Sequence, residues 1–217
     1  SIPFNTFKNA IYLSSITFEE NSQLSNINEG SFYGTNSLIS IRIPSGVTNI
    51  GDYAFYGNSS LSSIVFEDGS ELLNIGSYAF YELTSLMSFY LPSSVKNIGS
   101  FAFYHNMRLN IFSIEESSEL NSIGSYAFYG NSSLVSIYLP ISVSYIGAEV
   151  FSYANITIYA EATEQPIGWN NQWNPLNRPV YWQVGTYSEY NDFSYAVIGN
   201  SEVVIIGRSV NSSSNNL

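Results

Sequence analysis

The chain contains no cysteine, which excludes disulfide frameworks, thiolate zinc sites and cysteine nucleophiles and leaves the redox compartment open. Positive charge is nearly as scarce: six Lys+Arg stand against seventeen Asp+Glu, a net charge of -11 in 217 residues. That balance opposes the counterion release that draws proteins onto phosphate backbones, so neither nucleic acid nor an anionic membrane is an expected partner. No apolar run approaches the roughly 18 residues of a membrane-spanning helix, and residues 1–20 lack the basic start and apolar middle of a secretion signal. Glycine-rich phosphate loops and histidine pairs are also missing, and the single imidazole, His105, has no visible partner to position it as a base. These absences predict a chain with no catalytic residues, no metal and no cofactor.

What is present is a large apolar fraction, 45%, set in a neutral, hydroxyl-rich background of 38 Ser and 24 Asn. That is enough to bury a sizeable core. The order in it is a repeat. The motif Ile-Gly-x-x-Ala-Phe occurs at 50–55, 75–80, 98–103 and 123–128, degenerates at 146–151, and extends backwards as 27–32 and 2–7. With starts at 2, 27, 50, 75, 98, 123 and 146, a longer coil and a shorter one alternate without exception, so the underlying unit is a pair of coils. Six residues after each Phe stands a Leu, then an apolar pair in alternation: Ile16/Phe18, Ile41/Ile43, Ile64/Phe66, Phe89/Leu91, Phe112/Ile114 and Ile137/Leu139. Alternation of this kind predicts a short strand with one face buried. Pro44, Pro92 and Pro140 end the strand in the shorter coils, and acidic residues occupy the turn in the longer ones.

A coil this short cannot bury its apolar set alone. Stacked at ~4.8 Å, seven coils form a slab roughly 30 Å long, with a parallel sheet on one side and a column of Leu, Ile and Phe inside. Gly51, Gly76, Gly99, Gly124 and Gly147 recur at one corner, where either a positive φ or a close approach between coils would favour glycine. In these residues, over about 2 to 160, the sequence resembles the BspA-like (treponemal-type) leucine-rich repeats. The resemblance implies a right-handed, β-rich solenoid from a bacterial cell-surface or secreted protein, adhesin-like, binding protein or glycan on a host or neighbouring cell. The chain departs from the pattern where that family often carries cysteine, having Asn58, Leu83, Met107 and Asn131 there.

Three units are expected: the repeat array over 1–160, a Trp-rich cap over 161–184, and a β-hairpin over 185–217 that opens a following module. Trp169, Trp173 and Trp182 serve to close the open end of the solenoid core, in preference to forming a sugar-binding platform. In the hairpin, Phe193–Asn200 and Val203–Gly207 pair across a Gly-Asn-Ser turn, and residues 207–217 form a mobile tail.

The strand face pointing away from the core carries two columns. One is nearly all serine: Ser15, Ser40, Ser63, Ser88, Ile111, Ser136. The other varies: Thr17, Arg42, Val65, Tyr90, Ser113, Tyr138, Thr157. Variation on a fixed scaffold is how solenoids build binding surfaces, and Tyr and Arg dominate interface hot spots. Arg42, Val65, Tyr90 and Tyr138, with Ser88 and Ser136 beside them, are therefore the expected partner-binding residues. Passive spacing, or an accessory role beside a catalytic domain elsewhere, are the competing functions. Of the remaining features, the Tyr33, Tyr56, Tyr81, Tyr104, Tyr129 column reads as packing. The acidic series Glu19-Glu20, Glu67-Asp68, Glu115-Glu116, with Glu71 and Glu119, reads as a solvated edge in preference to a calcium site. In a eukaryotic host Asn58, Asn131, Asn155 and Asn211 would be glycosylation sequons.

Overall fold

The computed structural model describes residues 1–184 throughout and, beyond them, the backbone of strands at 188–190, 193–198 and 202–208. The described residues contain no helix. Each coil contributes a two-residue strand and a four-residue strand. The two-residue strands are β1 (Asn26–Ile27), β3 (Asn49–Ile50), β5 (Asn74–Ile75), β7 (Asn97–Ile98), β9 (Ser122–Ile123) and β11 (Tyr145–Ile146). Alternating with them are β2 (Ser40–Ile43), β4 (Ser63–Phe66), β6 (Ser88–Leu91), β8 (Ile111–Ile114), β10 (Ser136–Leu139) and β12 (Thr157–Ala160), followed by β13 (Val180–Trp182). The architecture is the expected parallel solenoid of about seven turns. At the C-terminal side β14 (Ser188–Tyr190), β15 (Phe193–Ile198) and β16 (Glu202–Arg208) form an antiparallel sheet in that order. The tail expected to be mobile lies outside the described residues from 209 onward.

The interior is built as columns. Phe7, Phe32, Phe55, Phe80, Phe103, Phe128 and Phe151 stack coil on coil with ring centroids 5.1–5.8 Å apart. Leu38, Leu61, Leu86, Leu109 and Leu134 and the inward Ile residues of both strand types fill the space beside them. The glycine corner answers to close approach, since its glycines do not have positive φ. A Cβ placed on Gly124 would sit 2.4 Å from the backbone nitrogen of Ser100 in the preceding coil. Left-handed backbone occurs instead at two other corners of each coil, including the non-glycine positions Tyr53, Tyr78, Phe101 and Tyr126 at one and Glu82, His105 and Tyr153 at the other.

One expectation changes. The longer strands do not make a continuous sheet: β2 pairs with β4, β6 with β8, and β10 with β12 and then β13. Among the described residues, the sheet that runs through six coils is made of the two-residue strands. The breaks fall across the longer coils, from β4 to β6 and from β8 to β10. In each paired couple the amide following the second strand donates to the last carbonyl of the first, Glu67 to Ile43 at 3.0 Å and Glu115 to Leu91 at 3.1 Å. At the breaks the residue in that place is Pro92 or Pro140, which has no amide hydrogen to give, and the turn of the coil before it is longer. The same rule explains why Ile16 and Phe18 form no strand: a longer coil separates them from β2, which is followed by Pro44.

Carboxylates of the longer coils, and one of the last coil, complete the two-coil unit. Glu67 Oε2 accepts the Ser45 amide at 3.2 Å, Glu115 Oε2 the Ser93 amide at 3.0 Å, and Glu161 Oε2 the Ile141 amide at 2.6 Å. Each side chain thus caps the proline turn of the coil below it, satisfying an amide that the turn leaves unpaired.

Candidate binding face

The outward columns of β2, β4, β6, β8, β10 and β12 can now be placed. Ser40 lies beside Ser63, Ser88 beside Ile111, and Ser136 beside Thr157. Thr157 therefore continues the serine column, and the varied column runs Arg42 to Val65, Tyr90 to Ser113, and Tyr138 to Tyr159. The last coil is shorter than the others, and that shifts the register from the one expected.

Exposure divides this face in two. Arg42 is exposed, its Nε 3.4 Å from Glu67 Oε1, and Val65 is 43% exposed. Ser40 and Ser63 are exposed, and Ser88 and Tyr90 are half-buried. Ser113, Tyr138 and Tyr159 are buried, at 8%, 7% and 8%, and Ser136 is half-buried. Tyr138 is thus not an open contact residue. Strand β16 approaches β8 and β10, and the Tyr138 hydroxyl makes a short hydrogen bond to Glu161 Oε1. The exposed part of this face is its N-terminal half.

Each break in the long-strand sheet opens a groove. The first, about 180 Å³, lies between β4 and β6 and is lined by Ser63, Ile64, Val65, Phe66, Ser88, Tyr90 and Glu115. The second, about 290 Å³, lies between β8 and β10 against Glu115, Tyr138, Pro140 and Glu161. The varied residues Val65 and Tyr90 flank the first groove, with Arg42 one strand away. Sequence reasoning found these residues but missed the groove, although the spacing of Pro44, Pro92 and Pro140 carried its signal.

The other candidates resolve simply. His105 sits on a left-handed turn at φ 55, with Nδ1 3.9 Å from Glu82 Oε1 and its ring against Tyr104 and Tyr129. Among the described residues no group of three acidic or histidine side chains is placed to hold a metal ion, and no helix is long and apolar enough to cross a membrane.

Trp169 and Trp173 are buried, at 3% and 4%, and Trp182 packs against the core from a half-buried position. Their indoles meet one another, and Trp173 stands edge-on to Phe151, the last ring of the phenylalanine column, at 6.1 Å. Trp169 Nε1 donates to the Val143 carbonyl at 3.1 Å. Indoles so placed offer no open platform to a sugar. Two sequons are also internal: Asn58 and Asn131 are fully buried, whereas Asn155 is exposed and Asn211 lies outside the described residues.

The buried asparagines show what replaces the cysteine of the resembled family, and the structural equivalent is Asn106 in place of Met107. Asn106 Oδ1 accepts the Leu83 amide at 2.6 Å and its Nδ2 donates to the Phe80 carbonyl at 3.0 Å. Asn131 does the same one coil on, for the Asn106 amide at 2.8 Å and the Phe103 carbonyl at 3.0 Å.

A solenoid of alternating coils, with left-handed corners, stacked phenylalanines and a broken outer sheet, is a leucine-rich repeat architecture. Residues 1–74 and 69–164 match, in six copies, the model of the BspA type leucine rich repeat region. The chain belongs to that family. Among solved structures, the pneumococcal vaccine antigen PcpA is similar at 26% identity and a TM-score of 0.52, over 73% of this chain and 34% of that one. A leucine-rich repeat protein from Eubacterium ventriosum is similar in fold, at 23% identity and a TM-score of 0.54, over 64% of this chain and 35% of that one. The chain therefore spans about a third of the length of these relatives. No curated protein matches the sequence significantly.

Proposed function

We propose that this repeat domain is a non-catalytic interaction module, displayed on a bacterial cell surface or secreted, that binds a protein or glycan of a host or neighbouring cell through the N-terminal half of its strand face. The observation that carries this reading is the groove between β4 and β6, where Val65 and Tyr90 stand beside a broken ladder with Arg42, Ser40, Ser63 and Ser88 around them. An interface centre needs a recess, an aromatic or apolar anchor and a polar rim, and this half of the face has all three. Support for a surface location comes from the relative described as a vaccine antigen, since an antigen of that kind must be reached by antibody.

Residues 161–184 act as the cap of this module in the same reading. Indoles against Phe151 remove the apolar cross-section of the last coil from water.

The experiment is direct binding of the purified chain to a panel of extracellular-matrix proteins and cell-surface glycans, with the double variant Val65→Asp/Tyr90→Ala alongside and thermal unfolding as the control for folding. Loss of binding by a variant that melts as the parent does supports the reading. Undiminished binding by that variant excludes this half of the face, and no binding by either protein returns the domain to the role of spacer.

A further inference from the structure

A second surface carries chemistry that the strand face does not use. Along the turn segments leading from each two-residue strand to the next long strand, Tyr33, Tyr56, Tyr81, Tyr104, Tyr129 and Tyr153 form one column with steps of 4.6–4.9 Å between ring centroids. Tyr53, Tyr78, Phe101 and Tyr126 form another with steps of 4.7–4.8 Å. The columns are 5.5–5.8 Å apart and their rings are tilted 40–53° to one another. All four residues of the second column have positive φ, 55–60°, a conformation that costs a bulky side chain where glycine or asparagine would be at ease. Asn5 and Gly30 hold the same corner in the first two coils, so the backbone does not require an aromatic there.

The outward chemistry is that of hydroxyls. Among the described residues Tyr53, Tyr56, Tyr78, Tyr81 and Tyr104 make no hydrogen bond through their phenols to protein. The ring faces are taken up by neighbours within each column, leaving edges and hydroxyls toward solvent. Burial and nearby carboxylates hold the phenols of Tyr53, Tyr56, Tyr81 and Tyr104 protonated, Tyr81 being pushed up to about 12 by burial first and by Glu82 next to it. They are therefore donors. Carboxylates follow the ribbon for its length: Glu29 and Asp52 act on Tyr53, Glu82 on Tyr56, Tyr81 and Tyr104, and Glu149 on Tyr129. The basic groups beside it are Lys8, over the ring of Tyr33, and His105, beside Glu82. Where Gly30 leaves the second column without a side chain, a groove of about 230 Å³ opens between Tyr33 and Tyr53, bordered by Glu29 and Lys8.

We propose that this double aromatic ribbon is a second docking surface, and that its occupant is a proline-rich, lysine- or arginine-bearing segment of another protein in the polyproline II conformation, lying along the solenoid axis. Such a helix has three residues per turn and rises about 9.3 Å per turn, close to the distance of about 9.5 Å across two rungs. Prolines of such a helix dock in aromatic-lined grooves, as between Tyr33 and Tyr53, its carbonyls, having no internal hydrogen bond, accept from phenols, and its basic side chains meet the flanking carboxylates. The proposal is independent of the strand-face reading.

The test is fluorescence-anisotropy titration of the full chain with a labelled peptide of about five Pro-Pro-Lys repeats, long enough to span the ribbon at about 3.1 Å per residue. The comparison probes are a Gly-Ser-Lys peptide of equal charge and a xylan oligosaccharide. The triple variant Tyr56→Phe/Tyr81→Phe/Tyr104→Phe keeps the stacking and removes the donors, and Val65→Asp alters only the strand face. Saturable binding of the proline peptide, weakened about tenfold by the triple variant at unchanged melting temperature and untouched by Val65→Asp, is the expected result. The proposal is overturned by absence of saturable binding, by equal binding of the Gly-Ser-Lys peptide, by full affinity in the triple variant, or by the oligosaccharide binding more tightly than the peptide.

Discussion

Asn106 shows how much one polar side chain contributes inside this solenoid. It is fully buried and satisfies a backbone amide on one side and a carbonyl on the other, in two different residues of the preceding coil. Replacing it by leucine would leave both groups without partners in a dry interior, a loss of about 2–4 kcal/mol. Denaturant unfolding of Asn106→Leu should show that decrease, and a variant as stable as the parent would mean that water enters the column. The same burial governs modification. A glycosyltransferase acting on folded chain reaches Asn155 but not Asn58 or Asn131, so mass spectrometry of chain secreted from a eukaryotic host should find Asn155 occupied and those two empty. Gly124 is the third sensitive position, for reasons of space: with the Ser100 nitrogen 2.4 Å from where a Cβ would stand, Gly124→Val forces the coils apart at a cost of about 1–3 kcal/mol, measurable as a lowered melting temperature.

Among the elements, the four-residue strands explain the alternation of coil length. The prolines withhold an amide from the strand of the coil before them, and the glutamates of the longer coils return a cap to the proline turn. Two coils, joined by a ladder and closed by a carboxylate, are thus the structural repeat, and the grooves are the joints between such pairs. Glu115→Ala should then destabilise by about 0.5–1.5 kcal/mol and speed hydrogen exchange of the Ser93 amide, while amides of the two-residue strands keep their protection. Exchange spread evenly over all coils would show that the pair is not the unit.

For the molecule as a whole, the tyrosine ribbon makes stability depend on alkaline pH. Phenols ionise near 10 in an unfolded chain, whereas burial and Glu82 hold Tyr81 to about 12, and Tyr53, Tyr56, Tyr104 and Tyr129 are raised in the same direction by burial first. A raised folded-state pKa favours the protonated, folded form, so its contribution is complete below pH 10 and is lost as pH rises through about 12. Circular dichroism and phenolate absorbance should show ionisation and unfolding together in that window, with Tyr81→Phe moving the midpoint upward.

Much of this could be read from the residues alone. The recurring Ile-Gly-x-x-Ala-Phe, the Leu six residues on and the alternating apolar pairs determine a parallel solenoid, because a coil with that much apolar surface and no helix period can bury it only against copies of itself. The buried phenylalanine column follows from the same periodicity, whereas the choice between a positive φ and a close approach at the glycine corner was made only by the packed coils. Local pattern could not say which outward residues stay open. Tyr90 and Tyr138 occupy equivalent strand positions, yet only Tyr138 lies where β16 approaches β8 and β10 and where Glu161 reaches its hydroxyl. Nor could it show that Asn58 and Asn131 face inward, since a sequon is a local pattern and burial is set by the coils above and below. Those outcomes depend on contacts between residues distant in sequence, which arise only when the stack closes.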